Sequence, residues 1–198
     1  MTGETTKEQP EASVSIGPYV GDVASHYRSP EFFAWLTQLP ERLVSPSARL
    51  VAEGRNRHLC LEAPVDGGTQ TVIVKAFGKQ PLLKDVVDRR RGSKARRTWL
   101  AATHLSRHGV GTPPPIGYLE SWEGARLRES YFLAVYQHRS ETFLQALLRL
   151  FHETPESSYF MALLQCVADG VHSMHAAGFV HNDFGAQNVL LTPDGPGR

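Results

Sequence analysis

From about residue 48 to 77 the chain alternates apolar and polar positions with a period of two. Arg49-Leu50-Val51-Ala52-Glu53, His58-Leu59-Cys60-Leu61-Glu62 and Thr71-Val72-Ile73-Val74-Lys75-Ala76-Phe77 are separated by Gly54-Arg55-Asn56-Arg57 and by the Pro/Gly-rich stretch Pro64 to Gly68. Short runs bounded in this way predict three strands of an antiparallel meander. In the third strand, alternation puts Ile73 and Lys75 on one face and Val72, Val74 and Ala76 on the other. The pattern then changes to helical spacing. Ser93 to His108 predicts a helix with Trp99, Ala102 and Leu105 as its inward stripe, stopped by Gly109 and by Thr112-Pro113-Pro114-Pro115. Ile116–Trp122 and Ser130–Tyr136 predict two further strands about a turn at Glu123-Gly124, which completes a five-stranded sheet with one helix. Beyond it the chain reads as helical. Thr142–Phe151 is capped by Thr142 or Ser140. Ser157–Ala177 carries Phe160, Leu163, Leu164, Val167, Val171 and Met174 on one face.

Upstream of the sheet the pattern is weaker. Residues 1–18 are polar with few large apolar groups and are expected to be disordered. Residues 19–47 are expected to form a helical extension. Its helix runs from Pro30 to Leu39, with the proline in the first turn and Phe32, Phe33, Trp35, Leu36 and Leu39 as the packing side. The remaining boundaries are a sheet-bearing lobe at 48–137 and a partial helical lobe at 138–198.

Composition narrows the function. With 21 Lys and Arg against 20 Asp and Glu, bulk charge names no nucleic-acid partner. The basic run from Lys84 to Arg97 also lacks interleaved aromatics and any recognised module, so no nucleic acid is expected. The run reads as a solvated face or, more sharply, as a patch for an anionic substrate or an anionic membrane surface. The N-terminus has no apolar signal core, and no run is long enough to span a membrane. Cys60 and Cys166 lie far apart without a CxxC partner and read as two reduced, mostly buried thiols in a cytoplasmic protein. His172 and His175 stand one helical turn apart, but nothing supplies the further ligands a zinc site needs.

The chemistry concentrates in His175-Ala176-Ala177-Gly178-Phe179-Val180-His181-Asn182-Asp183-Phe184-Gly185-Ala186-Gln187-Asn188-Val189-Leu190-Leu191, which reads as a helix end, a tight loop and a short strand. An amphipathic helix, then His-x-Asp, then Asn five residues on, then an apolar strand resembles the catalytic loop of protein-kinase-type phosphotransferases. The strand Val72-Ile73-Val74-Lys75 is similar to the lysine strand of the same superfamily, and Gln137-His138-Arg139-Ser140 to its hinge. The fold class this implies is α+β and protein-kinase-like: a five-stranded antiparallel N-lobe with one helix, and an incomplete, mainly helical C-lobe.

Within that superfamily the compact layout and the connection Gly109-Val110-Gly111-Thr112-Pro113-Pro114-Pro115 resemble the lipopolysaccharide core kinases of Gram-negative bacteria, the heptose and Kdo kinases. The resemblance implies phosphoryl transfer from ATP, with Mg²⁺, to a sugar hydroxyl of lipopolysaccharide, by a cytoplasmic protein in peripheral contact with the inner membrane. It implies Asp183 as the base, Asn188 as a metal ligand, Lys75 on the nucleotide phosphates and Ile73 against adenine. It also implies backbone contacts from Gly54 to phosphate and from Gln137 and His138 to the adenine edge. His181 would brace the loop. Asn182 and Gly185 stand where protein kinases carry Arg and Lys, which argues against an activation-loop switch and a protein substrate.

Three departures qualify the expectation. The helix at 93–108 has no acidic residue to pair with Lys75, Thr98 standing where the Glu is sought. Gly54 is the lone glycine of its loop. The strand with a second metal-binding Asp has no counterpart, since Asp194 lies in the turn after Leu191, so this chain is expected to be truncated and to transfer little or no phosphate, and the stripe from Phe160 to Met174 is expected to be partly exposed. Two other readings compete: a non-catalytic pseudokinase-type binding module, and another small-molecule kinase of the aminoglycoside-phosphotransferase type.

Overall fold

The computed structural model describes residues 13–54, 56–78, 92–153, 158–182 and 184–193. Among the described residues nine strands form: β1 (Val14–Ile16), β2 (Tyr19–Val23), β3 (Arg49–Ala52), β4 (Asn56–Val65), β5 (Gly68–Phe77), β6 (Pro115–Glu123), β7 (Arg126–Val135), β8 (Glu141–Thr142) and β9 (Leu190–Leu191). The α-helices among them are α1 (Pro30–Thr37), α2 (Leu39–Arg42), α3 (Lys94–Arg107), α4 (Phe143–Glu153) and α5 (Ser158–Ala176). Seven strands make one sheet in the order β1-β2-β6-β7-β5-β4-β3, and β8 pairs with β9 apart from it. The described residues divide into two compact units. One runs to Trp99 and includes Ile116–Ala134; the other comprises Leu100–Pro115 and the chain from Val135 onward.

The five expected strands are all present, and the N-terminal segment adds two more. Part of the stretch expected to be disordered is strand β1, and the expected helical extension opens with strand β2. Both are short, and each has a reason to pair. Ile16, Tyr19 and Val23 are buried, and Gly21 opposite Leu119 lets the two backbones close up, because a Cβ there would come 2.0 Å from the Tyr118 carbonyl oxygen. Helix α1 begins as read: Ser29 caps it by accepting from the Phe32 N–H at 3.1 Å, with Pro30 following at the first helical position. Phe32, Trp35, Leu36 and Leu39 are buried.

Strands β4 and β5 run on past the expected break at Pro64, leaving Asp66-Gly67 as a two-residue turn. The proline is tolerated because β3 reaches only as far as Cys60 along β4. Beyond that point Trp35 takes over the open edge, its indole N–H donating to the Glu62 carbonyl at 2.9 Å. Pro64 lies two residues on, on the same edge, where no ladder donor is required. One face of this hairpin, formed by Leu59, Leu61, Ala63, Val72 and Val74, is buried.

Helix α3 starts at Ser93, whose Oγ accepts from the Arg96 N–H at 3.1 Å, and buries Ala95, Trp99 and Ala102. Within the basic run, Lys84 to Arg91 lie outside the described residues, and Lys94, Arg96 and Arg97 form the first turn of α3. In the second unit, Thr142 rather than Ser140 caps α4: the Gln145 N–H donates to Thr142 Oγ1 at 3.2 Å and the Thr142 N–H donates back to Gln145 Oε1 at 2.8 Å. Along α5 only Met174 is buried, and Tyr159 and Met161 are exposed. Both cysteines are free thiols, but only Cys60 is buried; Cys166 lies exposed on α5, contrary to the expectation of a buried pair.

Candidate active site

In the first unit the β4–β5 register places the candidate residues. Lys75 lies opposite His58 and Ile73 opposite Cys60, and directly opposed residues of an antiparallel pair share a face. With Val72 and Val74 fully buried on the reverse face, Ile73 and Lys75 are held on the other. The Lys75 ammonium lies 5.7 Å from the Phe77 ring centroid, in cation–π range. Burial, and secondarily the Lys75 charge, hold the His58 pKa below its ordinary value. His58 was not foreseen as part of this face. Counting outward from Asp66-Gly67 as a two-residue turn would have paired it with Lys75. Gly54 is exposed between β3 and β4; its backbone is not left-handed and a Cβ would meet nothing within 4 Å, so local geometry makes no demand for glycine there. Arg55 lies outside the described residues.

In the second unit Gln137 and His138 follow strand β7. The Gln137 side chain donates to the Val135 carbonyl at 3.2 Å, and the Gln137 backbone carbonyl accepts from Ser140 Oγ at 2.9 Å. The His138 ring meets Tyr136 edge-on at 4.9 Å, and Arg139 takes the left-handed conformation at φ 58°. The segment is thus a turn closed on itself.

The loop after α5 is built by the helix ending. Gly178 adopts φ 74°, its N–H donates to the His175 carbonyl at 2.9 Å, and the Phe179 N–H donates to the Met174 carbonyl at 3.1 Å. This pair of bonds is a Schellman motif, which requires a left-handed residue at Gly178. Ala177 keeps its carbonyl occupied by His104 Nε2, 2.7 Å away. On the far side of the loop the Asn188 N–H donates to the Gly185 carbonyl at 2.8 Å, closing a short 3₁₀ turn, and the Phe143 N–H donates to the Val189 carbonyl at 2.9 Å. Leu190 and Leu191 then pair with Thr142 and Glu141. The loop is therefore tied down at both ends. His181 meets Phe184 edge-on at 6.0 Å. Asn188 is exposed at the close of the 3₁₀ turn, and Asp183 lies outside the described residues. Among the described residues no three His, Cys, Asp or Glu side chains cluster as a metal site, and no helix is long and apolar enough to cross a membrane.

A lysine strand and the start of a sheet-flanking helix in one unit, with the bonded ends of the segment 178–191 in the other, are features of a protein-kinase-like fold. The chain belongs to the lipopolysaccharide kinase (Kdo/WaaP) family, whose model matches residues 53–197. A solved structure described as WaaP in complex with acyl carrier protein is similar at 26% identity and a TM-score of 0.50, over 78% of this chain and 56% of that one. The chain thus spans little more than half the length of that neighbour. No curated protein matches it in sequence.

Proposed function

We propose that this protein acts in ATP-dependent phosphorylation of a sugar hydroxyl of lipopolysaccharide. The observation that carries the reading is the loop at 178–191, held by a Schellman helix end on one side and by the β8–β9 pair on the other, in a chain of the lipopolysaccharide kinase family. In this reading Lys75 draws the nucleotide phosphates, Ile73 packs against adenine, and backbone groups at Gly54, Gln137 and His138 border the nucleotide. Asp183 orients the acceptor hydroxyl and takes its proton as the hydroxyl oxygen attacks the γ-phosphorus, and ADP leaves. Asn188 offers an amide oxygen suited to Mg²⁺, a hard ion commonly held by one or two protein oxygens together with phosphates and water. When bound, the ion would neutralise phosphate charge. The acceptor places the work at the cytoplasmic side of the inner membrane, with the protein in peripheral contact.

A second reading, a nucleotide-binding regulatory module, draws on two features: Gly54 has no geometric need to be glycine, and α3 has no acidic residue. Nucleotide titration with and without Mg²⁺ separates the two. The kinase reading expects ATP affinity that rises with Mg²⁺ and falls in Lys75→Ala. Affinity indifferent to Mg²⁺ supports the module, and no ATP binding refutes both.

A further inference from the structure

Helix α3 opens with Lys94, Arg96 and Arg97 and has no acidic residue in its first turn. Cations there oppose the helix dipole. A counter-charge comes from the sheet. Glu120 of β6 is buried at 6% exposure. One carboxylate oxygen accepts from the Ser93 N–H at 2.9 Å, at the start of α3, and the other accepts from the Trp122 indole at 3.1 Å. Ser93 is itself fully buried. A carboxylate removed from water is tolerated only when its oxygens are bonded, and here both are. Six residues further along, Trp99 meets the Tyr118 ring at 6.4 Å. Tyr118, Glu120 and Trp122 alternate onto one face of β6, so α3 is fastened to that face at two successive points.

We infer that Glu120 is a positioning residue. It fixes α3 on the sheet by a carboxylate-to-helix-start clamp, in place of the ion pair to the strand lysine that α3 cannot make. The inference rests on the kinase reading above, because in that fold the seat of this helix governs whether the lysine strand meets the phosphates. Glu120 touches neither substrate nor reacting atoms; it acts through α3.

The test compares ATP and adenosine affinities in wild-type protein, Glu120→Ala and Glu120→Gln. Glu120→Ala is expected to weaken ATP about tenfold while leaving adenosine within about twofold, and Glu120→Gln, which keeps one acceptor for Ser93, to recover ATP to within about threefold of wild type. Unchanged ATP affinity in Glu120→Ala, or equal losses for ATP and adenosine, overturns the inference. If Glu120→Ala does not fold, Trp122→Phe removes one of the two bonds and keeps the ring; it should weaken ATP about threefold and spare adenosine, and a wild-type affinity there is equally contrary. Amide exchange at Ser93, read without nucleotide, separates the clamp from the kinase reading. Slow exchange in wild type that speeds at least about tenfold in Glu120→Ala supports the clamp even if wild type binds no ATP, and fast exchange in wild type, or exchange unchanged in Glu120→Ala, refutes it.

Discussion

Gly178 is the residue through which α5 turns into the candidate catalytic loop, and its replacement makes a quantitative test. Its φ of 74° belongs to the left-handed region, which costs an L-residue about 1–2 kcal/mol. A Cβ at this position meets no heavy atom within 4 Å, so the penalty for alanine is conformational alone. Gly178→Ala should therefore destabilise the protein by about 1 kcal/mol, and Gly178→Asn by less, because Asn tolerates this conformation. Gly170, inside α5, provides the control of opposite sign. It has equal room for a Cβ and no left-handed backbone, so Gly170→Ala should stabilise by about 0.5–1 kcal/mol. Urea unfolding followed by circular dichroism reads all three, with midpoint shifts of roughly 0.5 M at unchanged slope. A neutral or stabilising Gly178→Ala, or an Asn variant worse than Ala, would refute the Schellman ending and with it the placement of the loop.

Two further outcomes follow from named contacts. Gly21→Ala drives a Cβ against the Tyr118 carbonyl, which is backbone and cannot step aside. It should cost about 3 kcal/mol and speed amide exchange across Tyr19–Val23, and an unaffected exchange pattern would contradict the β2–β6 register. For His58, burial and the Lys75 charge lower the pKa, so the folded protein binds fewer protons there than the unfolded chain. The resulting stability is full above the ordinary histidine pKa and is lost as pH falls through the folded value. An NMR titration should place His58 below 6.5, and Lys75→Met should move it upward without reaching that value. An unmoved titration would separate the two side chains.

What was legible in the sequence was local. The β4–β5 hairpin, α3, α4, α5 and the loop after it each announce themselves through a period and a terminator within one stretch: Gly109 ending α3, Thr142 opening α4, Gly178 closing α5. The N-terminal strands could not be read this way. Val20 pairs with Glu120, and three to five residues of alternation are too few to predict a partner so distant in the chain. Pro64 misled because a proline ends a strand only where its missing N–H would have been used, and that depends on how far β3 extends. His58 and Glu120 were missed for a similar reason. A histidine and a glutamate in strands look like surface residues until register and burial are known. The spacing of His181, Asp183 and Asn188 was plain, because that motif is carried by consecutive residues rather than by packing.

If this protein serves lipopolysaccharide phosphorylation through Asp183, as proposed, the mass of the lipopolysaccharide core will register it. Core from cells lacking the gene should be lighter by one phosphate, with the mass restored by the wild-type gene and not by Asp183→Asn. A core whose phosphate content is the same with and without the gene, or is restored equally by Asp183→Asn, would contradict it.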